Sequence, residues 1–145
     1  MHPRKQGDFG ELSAAYWLTA QNAAVCRPLG HCPDYDLIAD FGDRLLRVEV
    51  KTSSRFARGR WDVAVCTRGG NQSWSGITKK FDTARCEYVF VLVADGRRWF
   101  IPARAIEGTT AIRLGGPKYS EFEVDRGEPI PVQTTQVRPS TIAFP

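Results

Sequence analysis

Hydrophobic and polar positions repeat with two different periods along this chain, and the period predicts the type of each element. From Asp8 to Asn22, apolar residues recur every three to four positions, which predicts an amphipathic helix capped by Asp8. From Arg44 to Ser53, apolar and polar residues alternate, which predicts a half-buried strand. Similar signals predict strands over residues 23–29, 35–41, 61–67, 87–94, 97–102 and 110–114, and short helical segments over 76–85 and 103–107.

This order of elements predicts a single α/β domain with a mixed β-sheet flanked by helices. The segment from Glu87 to Ala94 is the most apolar strand, so we expect it at the centre of the sheet. We place the core of the domain at residues 1–114. Residues 115–145 contain five prolines, which predicts an irregular extension that packs on the core or on a neighbouring chain.

The composition is typical of a folded protein in a reducing compartment. The chain has 145 residues, of which 42% are hydrophobic and 25% charged, so a globular core is expected. The longest apolar run, 88–94, is far shorter than the roughly 20 residues that span a bilayer. Because the four cysteines are irregularly spaced, we expect reduced thiols and a cytoplasmic protein.

The positive charge is concentrated in the middle of the chain. The net charge is +4, yet residues 44–85 carry ten basic and three acidic side chains, so the rest of the chain is net negative. Fifteen of the twenty basic residues are arginine, the better bidentate ligand for phosphate. This asymmetry indicates a surface that meets nucleic acid, although a solvated basic face is the plain alternative.

A tight turn predicts how two strands face each other. The sequence Phe41-Gly42-Asp43-Arg44 favours a two-residue type II′ turn, with glycine at the first central position. If the residues on either side of the turn are paired, Asp36 lies opposite Glu49, and Asp34 lies opposite Lys51. Two carboxylates at facing positions of an antiparallel pair repel each other, so something must offset their charge.

Three arrangements would offset this repulsion. Either one carboxyl group stays protonated, or Lys51 supplies a positive charge, or a divalent metal binds between Asp36 and Glu49. Mg²⁺ suits two carboxylates, a backbone carbonyl such as that of Val50, and water. Such a site inside a basic surface predicts phosphodiester hydrolysis, with Lys51 orienting the attacking water or stabilising charge on phosphorus. The plain alternative is an exposed cross-strand ion pair.

Three segments also resemble a known family. Asp8-Phe9-Gly10-Glu11-Leu12 on the first helix, Tyr35-Asp36-Leu37-Ile38 on a strand and Arg47-Val48-Glu49-Val50-Lys51-Thr52 on its partner resemble the PD-(D/E)xK nuclease superfamily. The resemblance covers roughly the first 105 residues. It is closest to the compact branch that contains group I intron homing endonucleases, and more distant from Holliday-junction resolvases.

The resemblance implies a restriction-endonuclease-like fold, Mg²⁺-dependent hydrolysis of DNA, and roles for individual residues. It implies that Asp36 and Glu49 bind the metal, that Lys51 is the catalytic lysine, and that Glu11 is an accessory acid. The literal Pro-Asp pair ends at Asp34, which is therefore the alternative to Asp36. Mn²⁺ is expected to substitute for Mg²⁺.

The basic central segment supplies the candidate DNA contacts. Arginine and lysine side chains would bind phosphates, and amide side chains would contact base edges. The predicted set is Arg55, Arg58, Arg60, Arg68, Asn71, Gln72, Trp74, Lys79 and Lys80. Zinc binding by Cys26, His31 and Cys32 is a weaker alternative, because their spacing fits structural zinc sites poorly.

We therefore predict a metal-dependent DNA endonuclease. One chain offers one site, so cleavage of both strands would require a homo-oligomer, either a dimer or a tetramer. Two alternatives remain open: a non-catalytic nucleic-acid-binding module with the nuclease fold, and a protein-interaction domain that binds acidic partners.

Overall fold

The computed structural model describes residues 1–68 and 78–132, which form one long helix, a six-stranded sheet and two smaller sheets. Two short 3₁₀ helices lie at Ala103–Ile106 and Ser120–Phe122. The other elements, in chain order, are α1 (Pro3–Ala20), β1 (Ala24–Cys26), β2 (Leu37–Asp40), β3 (Leu45–Ser53), β4 (Phe56–Ala57), β5 (Arg60–Ala64), β6 (Thr67–Arg68), β7 (Thr78–Lys79), β8 (Tyr88–Val93), β9 (Arg98–Pro102), β10 (Ala111–Leu114) and β11 (Glu123–Val124).

The main sheet has the strand order β1-β2-β3-β8-β9-β11. Only β3 and β8 are paired in parallel, so the sheet is mixed, as predicted. The strand β8 lies between β3 and β9, which confirms the predicted central position of the most apolar segment. The second sheet has the order β10-β5-β4, and β6 pairs with β7.

The main sheet separates two hydrophobic cores. On one face, Phe90 and Leu92 of β8 pack with Ala14 and Leu18 of α1. On the other face, the alternate β8 residues pack with the second sheet, in a cluster that includes Val89, Val91, Val93, Trp61, Val63 and Ile112. A strand that is buried on both faces has to be apolar throughout, which explains the composition of β8.

The helix begins earlier than the sequence pattern predicts. The predicted cap at Asp8 is wrong: α1 begins at Pro3, and the side chain of His2 accepts a hydrogen bond from the Arg4 amide. Proline is favoured in the first turn because its fixed φ suits the helix and its missing N–H would have no partner there. The polar N-terminal turn has no apolar periodicity, so the pattern did not include it.

Two further differences concern short segments. Residues 78–85 form β7 and a turn, so the helical segment predicted over 76–85 is absent from its described part. The described part of the predicted extension contributes β11 to the main sheet, and Ile130 is buried against the α1 side of the core. The boundary at residue 114 stays a prediction. Within residues 1–68 and 78–132, no helix is both long and apolar enough to span a bilayer.

The hairpin between β2 and β3 has the predicted register. The observed pairs run from Asp40–Leu45 to Leu37–Val48. Gly42 has a φ of 87°, the left-handed value that a type II′ turn requires at this position. The amide of Phe41 donates to the carbonyl of Arg44 at 3.0 Å, which closes the turn.

Close contact between α1 and β3 depends on a glycine. Gly10 is buried, and a Cβ atom at this position would overlap the Cγ2 of Thr52 and lie 3.1 Å from the Cγ1 of Val50. A Cβ atom at Gly7, on the same helix, would have no neighbour within 4 Å. The two glycines therefore differ in what surrounds them, although both lie inside α1.

We predict opposite effects of alanine at these two positions on the free energy of unfolding. Gly7→Ala should stabilise the protein by about 0.5–1 kcal/mol, because alanine is the better helix former. Gly10→Ala should destabilise it by about 1 kcal/mol or more, because overpacking outweighs this gain. Urea denaturation measures both effects. Equal stabilisation by the two substitutions would contradict the close packing of α1 on β3.

Candidate active site

Asp36 is bound to β3 through both its backbone and its side chain. Its amide donates to the carbonyl of Val48 at 2.9 Å, and its Oδ2 accepts a hydrogen bond from the amide of Val50 at 2.6 Å. Since Leu37 is also paired with Val48, two successive residues face one residue of β3, as in a β-bulge. The ladder thus ends at Leu37, and the predicted direct pairing of Asp36 with Glu49 is not formed.

Glu49 is a buried carboxylate with unequal oxygens. The residue is 4% exposed. Its Oε1 lies 2.7 Å from the Nζ of Lys51 and 3.0 Å from the Nη2 of Arg85. Its Oε2 is buried and has no hydrogen-bond partner within the described parts of the chain. Two cations therefore neutralise one oxygen, while the other oxygen lacks a partner.

Lys51 and Glu49 share a face of β3 because they are two residues apart. The side chain of Lys51 is 24% exposed, and its ammonium group contacts Glu49. Val48 and Val50 alternate with them and pack in the core on the α1 side. The period of two that predicted this strand also places its acid and its lysine side by side.

Arg85 is the residue that the sequence analysis missed. It precedes β8 by three residues, and the parallel pairing of Val48 with Tyr88 brings it to the end of the sheet where Glu49 lies. Its side chain is 11% exposed and lies over the ring of Phe81, with 5.9 Å between the Cζ atom and the ring centroid. In the sequence, Arg85 is only one of the basic residues of the segment 44–85, because nothing in the local pattern connects it with Glu49.

The alternative acid, Asp34, contacts the same guanidinium group of Arg85 as Glu49 does. The Nε of Arg85 is 3.7 Å from the Oδ1 of Asp34, and its Nη2 donates to the carbonyl of Pro33 at 3.3 Å. The side chain of Asp34 is 54% exposed. Asp34 is therefore an exposed acid that contacts the largely buried Arg85, whereas Asp36 contacts the backbone of β3.

Glu11 lies near Asp36 in the structure. Both residues line a cleft of about 170 Å³ between α1 and the loop before β2. The other residues that line this cleft are Arg27, Pro28, Gly30, His31, Cys32 and Tyr35. Burial and the negative charge of Asp36 raise the pKa of Glu11, although an ion pair with Arg27 at 3.0 Å acts in the opposite direction. Two carboxylates and one arginine therefore share this cleft.

The cysteines do not form a metal cluster. All four thiols are free. Burial, together with the nearby Glu49, raises the pKa of Cys86 to about 12, so this thiol stays protonated at neutral pH. Across residues 1–68 and 78–132, no three side chains of histidine, cysteine, aspartate or glutamate are placed to hold one metal ion. This geometry does not support the zinc alternative.

The predicted DNA contacts are partly within the described residues. Arg55, Arg58, Lys79 and Lys80 are exposed and Arg60 is half-buried. The Nε of Arg55 lies 3.7 Å from Asp62, which also pairs with Arg113 at 3.0 Å. Asn71, Gln72, Trp74 and the side chain of Arg68 lie outside the described part of the structure.

A solved structure of a bacterial homing endonuclease, I-Ssp6803I, is similar to this fold. The TM-score is 0.74, and the match covers 85% of this chain and 89% of that one, at 19% sequence identity. At this level of identity the likeness establishes the fold, which is the restriction-endonuclease-like α/β architecture expected from the sequence.

A curated protein is similar over a shorter stretch. A 61-residue segment is 43% identical to a UPF0102 protein of Beutenbergia cavernae. The match covers 41% of this chain and 52% of that protein. The chain therefore spans about half the length of the curated relative it matches.

A family profile matches most of the chain. The profile described as PD-(D/E)XK endonuclease matches residues 1–121, which include α1, the β2–β3 hairpin and the strand β8. This region contains Glu11, Asp36, Glu49, Lys51 and Arg85. The chain therefore belongs to the PD-(D/E)XK endonuclease family.

Proposed function

We propose that the protein is a metal-dependent DNA endonuclease whose active site lies at the end of the β2–β3 hairpin. One observation carries the proposal: Glu49 is buried, one of its oxygens contacts Lys51, and the other has no partner in the described structure. A buried carboxylate oxygen without a partner costs free energy. Binding of a cation to this oxygen would offset that cost. Family membership supports nuclease activity.

The available ligands fit a hard divalent cation. We assign Asp36, Glu49 and the backbone carbonyl of Val50 as the ligands of Mg²⁺, for which Mn²⁺ would substitute. The amide of Val50 points toward Asp36, and the carbonyl of a strand residue points to the same side as its own amide. Mg²⁺ prefers few protein oxygens and retains several waters, so two carboxylates and a carbonyl suffice. When bound, the ion would polarise a phosphoryl oxygen and lower the pKa of a bound water.

The protein residues then have distinct tasks. Lys51 would hold the attacking water by a hydrogen bond, or stabilise the negative charge that develops on the phosphate oxygens. Its side chain is suited to this because it is partly exposed and its ammonium group lies beside Glu49. Glu11 would act as an accessory acid from α1, across the cleft that it shares with Asp36.

The DNA backbone would follow the basic surface that the sequence predicts. Its described side chains are those of Arg55, Arg58, Arg60, Lys79 and Lys80. We also assign Arg68 to phosphate binding and Asn71, Gln72 and Trp74 to base contacts from the sequence, since these side chains lie outside the described part of the structure. A cleft of about 430 Å³ extends the basic surface, because its lining includes Arg60, Arg113 and Lys118 but no acidic residue. Contacts of this type bind phosphates without regard to sequence.

The substrate and the assembly are the finer parts of the proposal. The chain would cut DNA in the manner of a homing endonuclease, which is how the structural neighbour is named. The alternative is that it acts on branched DNA in the manner of a junction resolvase. Since each chain offers one site, cleavage of both strands would need a dimer or a tetramer.

A second candidate function is favoured by the ion pairs of Glu49. Lys51 and Arg85 already neutralise this acid within the protein. A non-catalytic module that binds nucleic acid and keeps the nuclease fold would have this arrangement as a structural ion pair. It would bind DNA equally well with Mg²⁺ and with EDTA and would form no cleaved product.

We predict that Glu49→Gln and Lys51→Ala each lower nicking of supercoiled plasmid by at least about 100-fold, because each removes charge from the reacting centre. Nicking by the wild type should require Mg²⁺ or Mn²⁺ and stop with EDTA. Glu87→Gln is the matched control. Glu87 pairs at 3.0 Å with Arg47 of β3, the strand that also carries Glu49 and Lys51, and the side chain of Glu87 is 38% exposed. Nicking that persists in both active-site variants would contradict the assignment.

We also predict that the basic surface determines the salt dependence of DNA binding. Arg58 is exposed at the β4–β5 turn, so Arg58→Gln should weaken binding without unfolding the protein. The slope of log K against log salt should become less steep by about 0.9, the value for one phosphate contact. Fluorescence anisotropy in EDTA measures this without cleavage. Arg104→Gln, at an exposed arginine outside the surface, should keep the wild-type slope.

A further inference from the structure

Arg85 joins the two chain segments that carry the proposed metal ligands. Its Nη2 contacts Glu49 of β3 at 3.0 Å, and the same atom contacts the carbonyl of Pro33 at 3.3 Å. Its Nε lies 3.7 Å from Asp34. Asp36 follows two residues later. One guanidinium group therefore connects β3 to the loop that leads into Asp36.

The contacts of Glu49 are arranged asymmetrically. Both cations, Lys51 and Arg85, contact Oε1, and Oε2 contacts neither. Two donors on one oxygen restrict the rotation of the carboxylate and leave the second oxygen in a defined direction. A metal ligand requires such a fixed oxygen, and the groups that orient ligands in this way affect metal affinity.

We propose that Arg85 is a positioning residue for the metal site: it holds Oε1 of Glu49 and the loop before Asp36, so that Oε2 of Glu49 and the carboxylate of Asp36 are set for one ion. This inference rests on the proposed function, because it concerns the same metal. It assigns Asp34 to the support of Arg85, and the metal to Asp36.

The burial of Arg85 explains why an arginine serves here. The side chain is 11% exposed, and its Nη1 is a buried donor without a partner in the described structure. A buried arginine needs charged partners, and its planar group reaches several acceptors at once. Lys51 lacks this fork, so it contacts Glu49 without connecting the two segments.

A competing interpretation predicts the opposite effect of Arg85 on metal affinity. Arg85 is a positive charge close to the proposed ion, so it would repel a divalent cation if it acted only through its charge. Removal of Arg85 would then tighten metal binding. The positioning role predicts weaker binding, and the sign of the change separates the two.

The test is titration of Mn²⁺ into DNA-free protein by isothermal calorimetry. Arg85→Met should raise the dissociation constant by about 10- to 100-fold, the range for groups that orient metal ligands. In nicking assays, the Mg²⁺ concentration for half-maximal rate should rise by a similar factor, while the rate at saturating Mg²⁺ approaches that of the wild type. Arg47→Met, which removes the ion pair of β3 with Glu87, should leave the Mn²⁺ affinity unchanged.

A second variant keeps the test valid if Arg85→Met does not fold. Asp34→Asn changes an exposed partner of Arg85 and should weaken Mn²⁺ binding by about two- to fivefold, the range of an exposed ion pair. Unchanged or tighter Mn²⁺ binding in a folded Arg85→Met, or in Asp34→Asn if only that variant folds, would overturn the inference. Wild-type protein that binds no Mn²⁺ would overturn the proposed function as well, so the two failures are distinguishable.

Discussion

The burial of one negative charge beneath the sheet surface constrains the rest of the site. Glu49 is almost inaccessible to solvent, so its carboxylate needs cationic partners within the protein. Lys51 comes from the same strand and Arg85 from the segment before β8. The site thus depends on the parallel pairing of β3 with β8, because this pairing brings the arginine to the acid.

The elements around Glu49 also place the other groups of the site. Val48 and Val50 of β3 face α1, and Glu49 and Lys51 lie on the opposite face. Gly10 allows α1 to approach β3 closely, and the same helix carries Glu11 one residue later. The helix that closes the core therefore also brings an acid to the cleft beside Asp36. Packing and chemistry share the same elements.

Local sequence patterns predicted the hairpin well and its end poorly. The glycine at position 42 and the alternation of β3 were sufficient for the observed register from Asp40 to Leu37. The bulge at Asp36 was missed because it is accompanied by a hydrogen bond between the Asp36 side chain and the Val50 amide, which no local pattern records. The start of α1 was missed for a related reason, since its first turn is polar and its cap is a histidine.

The sequence by itself determined the α/β class, the central strand, the turn at Gly42 and the placement of Glu49 beside Lys51, because each depends on the period of neighbouring residues. Only the tertiary structure decided that Arg85 contacts Glu49, that Asp34 and Asp36 have different partners, and that one oxygen of Glu49 lacks any partner in the described structure. These contacts join residues that are 14 or more positions apart, or depend on the rotation of a single carboxylate. The spacing of residues along a chain carries no information about either.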